Sequence, residues 1–186
     1  MFSVRQDFHG MGGKPVRILL QGRPGIGKTT VARRLADELR AANLAATGFV
    51  TEELREGRRR VGFAVETLAG DRAVLAHVEL PGPPRVGKHG VDLDAFERVA
   101  LPALASAIDT DVVVIDELGK MELASEKFRS AVGRLLAAPA AIVATVHVAR
   151  HPFTDELKRR PDFETVDVIH RNRDELPAEL AARLTQ

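Results

Sequence analysis

The stretch Gly22-Arg23-Pro24-Gly25-Ile26-Gly27-Lys28-Thr29 limits what this chain can fold into more than any other. It meets the pattern G-x-x-x-x-G-K-[ST] at every fixed position. Glycines at 22, 25 and 27 let the backbone turn where side chains would clash, so successive N–H groups face inward on an anion. In this pattern Lys28 reaches the outer phosphates, and the hydroxyl of Thr29, followed by Thr30, binds Mg²⁺. The positive end of the following helix points at the same charge. The apolar run Val16 to Leu20 before the loop reads as a buried strand. After it, Val31, Leu35, Leu39 and Ala42 fall on one helical face. Strand, loop and helix in this order are the context the pattern requires.

A second strand carries the partner chemistry. Asp111 to Glu117 contains four consecutive β-branched residues, as in a strand buried on both faces of a parallel sheet. Asp116 ends it about 90 residues after the loop, the expected place for a carboxylate that holds Mg²⁺ directly or through water. Glu117 follows, and an acid there can orient and deprotonate a water in line with a γ-phosphate. A small-molecule kinase has no need of such a group, so Glu117 favours hydrolysis. Lys120 either adds positive charge near the phosphates or is a solvated lysine at a helix start. Thr145 and His147 end the next strand, Ala140 to Val146. If that strand lies between the other two, a polar residue at its tip can sense the γ-phosphate or the attacking water. The alternative for His147 is an ordinary structural histidine.

Between these segments the pattern alternates. Ala45 to Glu53 reads as a strand, Arg55 to Arg58 as a turn, and Arg60 to Leu68 as the returning strand of a hairpin. Ala73 to Leu80 is a third short strand, and Pro81 to Gly90 a loop by composition. Thr51, Glu52 and Glu53 either face the metal or pair across the hairpin with Arg58, Arg59 or Arg60; cross-strand pairing is preferred. Asp92 caps a helix that Pro102 bends or divides. Helices are expected over Ser125–Ala137, Thr154–Arg160 and Arg173–Leu184, with a strand at Glu164–Ile169. Residues 1–15 read as a flexible leader before a single domain at 16–186. Such alternation gives an α/β fold with a mainly parallel sheet and an inserted β-hairpin region, here of the P-loop NTPase three-layer, RecA-like type. The Ala140–Val146 strand is expected between Val16–Leu20 and Val112–Asp116.

Composition narrows the function classes. A net charge of +1 over 186 residues gives no general case for nucleic acid or an anionic membrane. The Arg58-Arg59-Arg60 run supports nucleic acid only weakly. There is no cysteine, which removes disulfides, thiolate zinc sites and a Cys nucleophile and is compatible with the cytoplasm. No apolar stretch reaches the ~20 residues needed to cross a bilayer.

Several segments together resemble the thermophile-type nucleoside-triphosphatase family, to which the human cancer-related nucleoside-triphosphatase is related. They are Gly48-Phe49-Val50-Thr51-Glu52-Glu53, Arg60-Val61-Gly62-Phe63, Val91-Asp92-Leu93 with Leu101-Pro102, and above all Ile115-Asp116-Glu117-Leu118-Gly119-Lys120-Met121-Glu122-Leu123. The likeness continues through Ala144-Thr145 to Asn172-Arg173-Asp174. It implies Mg²⁺-dependent hydrolysis of nucleoside triphosphates (ATP, GTP, CTP and UTP) to diphosphate and phosphate. By the resemblance, Gly22 to Thr29 bind the phosphates, Asp116 serves the metal, Glu117 is the base, and Lys120 joins the site; Asn172 and Arg173 stand where base contacts occur. The chain departs from the family's usual Glu-Asn-Arg at Arg171-Asn172-Arg173, and from its usual Ile-Pro form at Val146 to Arg150. No arginine finger is identifiable; Arg55, Arg150 and Arg173 are the candidates. Two other readings stay open: a small-molecule or polynucleotide kinase, and a nucleotide-dependent switch or nucleic-acid-binding ATPase. Oligomeric state is not legible.

Overall fold

The computed structural model describes residues 15–185; apart from Pro15, the expected leader lies outside the described residues. The strands are β1 (Arg17–Gly22), β2 (Ala46–Glu56), β3 (Arg59–Thr67), β4 (Arg72–His77), β5 (Arg85–Val86), β6 (His89–Val91), β7 (Val112–Leu118), β8 (Ala141–His147) and β9 (Glu164–Asp167). The α-helices are α1 (Lys28–Ala41), α2 (Leu93–Ala105), α3 (Glu126–Leu135), α4 (Pro152–Arg159) and α5 (Leu176–Leu184). Short 3₁₀ turns cover Ser106–Asp109 and Glu122–Ala124.

All nine strands join one sheet in the order β5-β6-β4-β3-β2-β7-β8-β1-β9. From β2 to β9 neighbouring strands are parallel; from β2 to β5 they are antiparallel. As expected, β8 lies between β1 and β7. The parallel strands are apolar on both sides because both sides are covered. In β7, Val113 and Ile115 face one core, which takes in Phe96 of α2, Phe128 of α3 and Leu157 of α4. Val112 and Val114 face the other, built with Leu35 and Leu39 of α1 and Leu180 of α5. Helices on two faces of a central sheet make the three-layer sandwich, and parallel pairing brings the C-terminal ends of β1, β2, β7 and β8 to one edge, the ligand side of open α/β sheets.

The differences from the sequence expectations are local. β2 runs on through Arg55 and Glu56, so the hairpin turns on Gly57-Arg58 alone, with Gly57 at φ +57°. The Pro81–Gly90 stretch, expected to be all loop, contains β5 and most of β6, so the antiparallel insert extends to Val91. These strands are too short for a periodic signal and hide among prolines and glycines. α2 is continuous through Pro102 and undivided. Its Asp92 cap is as expected, accepting from the Ala95 N–H at 2.8 Å. α5 begins at Leu176, with Pro177 in its first turn, three residues later than expected.

Three phenylalanines join the sheet to the α2–α3 layer. Phe49 of β2 lies 5.7 Å from Phe96 and 5.8 Å from Phe128, and Phe96 lies 5.1 Å from Phe128, centroid to centroid. All three are fully buried. Phe128→Ala is expected to cost about 3–5 kcal/mol and to lower Tm by roughly 10 °C in thermal unfolding, since the cavity opens where three elements meet.

Candidate active site

The turn between β1 and α1 forms the loop. Gly25 and Gly27 hold φ of +75° and +110°, which side-chain-bearing residues rarely adopt, and Gly27 is the residue on which α1 starts. α1 has no side-chain cap at this end, so its first N–H groups stay available to an anion. Lys28 is buried, and its Nζ donates to the Gly22 carbonyl at 3.1 Å. The same ammonium lies 3.4 Å from Glu117 Oε2. Loop lysine and strand acid thus meet directly.

Asp116 is wholly buried beside them. Thr145, from β8, donates its hydroxyl to Asp116 Oδ1 at 2.6 Å. Thr51, from β2, donates its hydroxyl to Oδ2 at 3.1 Å and its backbone N–H to the same oxygen at 3.3 Å. Three neighbouring strands converge on one carboxylate. Thr145 is therefore a holder of Asp116, a contact the sequence placed at the right strand tip with a different purpose in view. The Asp116–Glu117 peptide bond is cis.

A cavity of about 760 Å³ opens over the loop. Pro24, Gly25, Gly27, Lys28, Thr29 and Thr30 form its floor. Glu117 and His147 contribute from β7 and β8, Lys120 from the turn after β7, and Thr51, Glu52 and Glu53 from the hairpin. Gly22, Ile26, Asp116 and Thr145 lie behind this surface, and exposed Arg23 lies outside it. Asn172 and Arg173 are also outside. The Asn172 side chain braces its own turn, donating to the Asp167 carbonyl and accepting from the Ile169 N–H, both at 2.9 Å. Arg173 lies on the loop's outer side, donating to the Ile26 carbonyl at 3.3 Å. Of the three arginine-finger candidates Arg55 lines the cavity, while Arg150 pairs with Asp155 at 3.3 Å.

The hairpin acids have partners. Arg60 meets Glu53 at 2.8 Å, and Arg55 meets it too. Burial works to raise the Glu53 carboxyl, but Arg60 and Arg55 outweigh it and hold it below the usual range. Glu52 pairs with Arg72 of β4 at 2.8 Å, a partner the hairpin pattern did not suggest. The preferred cross-strand pairing is thus present for Glu53 through Arg60, one of the three expected partners, while Glu52 pairs with Arg72. Lys158 donates to the His147 carbonyl at 3.3 Å, and Arg160 pairs with Asp162 at 2.9 Å.

One residue of the site had no assigned role in the sequence reading: Glu122. It lines the cavity yet is only 5% exposed. Burial, then the charges of Glu117 and Asp116, push its carboxyl up to about 8 against partial relief from backbone N–H groups. Glu122 is therefore uncharged at neutral pH. Its folded pKa stands above its unfolded one, so the fold binds the proton more tightly than the unfolded chain. That contribution is present at low pH and is lost as pH rises from the ordinary glutamate range through about 8. The available signal was spacing: Gly119 and Glu122 are three apart, and the Leu123 N–H closes the turn on the Gly119 carbonyl at 2.9 Å.

No cluster of three or more His, Cys, Asp or Glu residues suited to holding a metal alone occurs among the described residues. This donor set fits Mg²⁺ carried in by a triphosphate, which keeps water and phosphate oxygens as most of its ligands. No helix among the described residues is long and apolar enough to cross a membrane.

Comparison with known proteins agrees with this geometry. A family model described as NTPase matches residues 17–181. Nucleoside-triphosphatase THEP1 of Thermotoga maritima is 39% identical over 170 residues, spanning 91% of this chain and 95% of that protein. The human cancer-related nucleoside-triphosphatase is 40% identical over 173 residues, spanning 86% of this chain and 91% of that protein. The crystal structure of THEP1 from the hyperthermophile Aquifex aeolicus has a TM-score of 0.82 at 31% identity, covering 92% of this chain and 100% of that one. The resemblance read from the Asp116–Leu123 string is borne out, and the chain belongs to the NTPase family of nucleoside-triphosphatases.

Proposed function

We propose that the chain hydrolyses the γ-phosphate of ATP, GTP, CTP and UTP, giving the diphosphate and phosphate, with Mg²⁺ entering on the nucleotide. The carrying observation is the 3.4 Å approach of Glu117 to Lys28. In a phosphate loop the lysine marks where the outer phosphates lie, so Glu117 stands within reach of the γ-phosphorus. The nucleotide's negative charge draws Lys28 from Glu117 to the phosphate oxygens, which frees the carboxylate to accept a proton from water. Water attacks in line as the bond to the β-phosphate oxygen breaks. Loop N–H groups, Lys28 and, in this reading, exposed Lys120 stabilise the charge that develops.

Thr29 and Asp116 would hold Mg²⁺, which would neutralise charge on the outer phosphates. Both oxygens of Asp116 accept from Thr145 and Thr51, and the residue does not line the cavity, so it would act on the ion through water. Arg173, on the loop's outer side, stands on the path toward the base. The cysteine-free composition fits a reducing compartment such as the cytoplasm.

Phosphoryl transfer to a second molecule is the other reading, supported by the cavity's extension past Lys28 to Phe63 and Val86. With γ-labelled ATP and candidate acceptors, label found only in inorganic phosphate removes it.

Phosphate release from the four triphosphates, measured beside Glu117→Gln, tests the main reading. The variant is expected to bind nucleotide with affinity within about threefold of the unaltered chain and to lose about 10²-fold or more in kcat, the upper part of the range for a positioned base being 10⁴. Equal rates would show that Glu117 is not the base. Chelation of Mg²⁺ by EDTA is expected to abolish phosphate release and its re-addition to restore it; release that persists in EDTA removes the metal from the reading.

A further inference from the structure

Gly119 separates two carboxyl groups. A Cβ built at this glycine would lie 2.7 Å from Glu122 Oε2 and 3.5 Å from Glu117 Oε1. A side chain at 119 would displace the Glu122 carboxyl and sit in van der Waals contact with Glu117, so both acids border the space that this glycine leaves open. Glu117 reaches the cavity from β7 and Glu122 from the 3₁₀ turn that follows. That turn is fixed by its own backbone and by Arg129 of α3, whose guanidinium donates to the Leu123 carbonyl. Glu122 is thus a buried acid on a rigid turn, set against a partly exposed acid that ion-pairs with Lys28.

We propose that Glu122 is a positioning residue for hydrolysis: a buried carboxyl that, from across Gly119, sets where Glu117 stands beside the γ-phosphate. The inference rests on the reading of Glu117 as base. In the reacting step the water oxygen bonds to phosphorus, the bond to the β-phosphate oxygen breaks, and the water's proton goes to Glu117; Glu122 gains and loses nothing. Ionised, Glu122 would add a negative charge beside Asp116, Glu117 and the incoming phosphates.

The surrounding charges support the uncharged form. β7 presents Asp116 and Glu117, and Lys28 of the loop is engaged with Glu117. Arg129 spends its donors on the Leu123 carbonyl and on Glu126 at 3.6 Å. From α2, Glu97 is held by Lys127 and Ser125, each at 2.7 Å, and contributes no cation. Lys120 is exposed, where water screens it.

The test measures kcat at saturating Mg·ATP between pH 6 and 10 for the unaltered chain, Glu122→Gln, Glu122→Ala and Glu117→Gln. The unaltered chain is expected to lose about tenfold in kcat between pH 7 and 9. Glu122→Gln, which keeps the size and the uncharged donor, is expected to lose that alkaline limb and to retain at pH 7 most of the activity that Glu122→Ala loses, with KM little changed in both. A Glu122→Gln profile that overlays the unaltered one, or a Glu122→Gln rate as low as that of Glu122→Ala, would overturn the proposal while leaving Glu117 as base if Glu117→Gln is inactive. Full activity in Glu117→Gln would overturn both. Thermal unfolding gives an independent arm. The Tm of Glu122→Gln relative to the unaltered chain is expected to rise from pH 5 to 8 and then level, whereas a difference independent of pH would show that Glu122 is charged in the fold and sink the idea.

Discussion

The Asp116 carboxylate is the point on which the site depends. It is buried among strand ends of the parallel sheet and is held by a hydroxyl from β8 and by a hydroxyl and an N–H from β2. A carboxylate out of water is costly unless its oxygens are paired. Here the pairing groups belong to the strands on either side of β7 in the sheet, so satisfying the acid also fixes the relative position of the three strands. The sandwich of apolar layers makes this possible, because strands covered on both faces have little freedom to slide.

From this anchor the charges are arranged in depth. Asp116 lies behind the wall, Glu117 stands at it partly exposed, and Glu122 borders it while nearly buried, its carboxyl pushed up by burial and by the two neighbouring acids. Lys28 faces Glu117, so loop lysine and acid neutralise one another before a nucleotide arrives. In the proposed reaction a triphosphate replaces the carboxylate as the lysine's partner, and the freed carboxylate takes the water's proton. The hairpin acids that line the cavity, Glu52 and Glu53, are tied to arginines.

The loop, the acidic strand and the strand order were legible because each has a strong local cause. Glycine spacing fixes the loop, continuous β-branched residues mark a strand covered on both sides, and the polar tip of β8 follows from its place beside β7. Glu122 was in view within the most specific string of the chain, but its role depends on burial and on Gly119 making room, which no periodicity reports. β5 and β6 were missed because two- and three-residue strands carry no pattern. Asn172 and Arg173 were read as nucleotide contacts from the resemblance. In the fold the amide of Asn172 holds its own turn and Arg173 lies along the outside of the loop. The partner of Glu52, Arg72, lies on the third strand of the insert, beyond the range of a hairpin argument.

The most direct test of the central claim is a crystal structure of the chain with ADP, Mg²⁺ and aluminium fluoride, which stands in for the γ-phosphoryl group in transfer. Lys28 is expected on the fluoride, with a water in line with aluminium hydrogen-bonded to Glu117. Mg²⁺ is expected on Thr29, with Asp116 one water away and still held by Thr145 and Thr51. A structure in which Lys28 remains paired with Glu117 while the nucleotide occupies the loop would contradict the central claim.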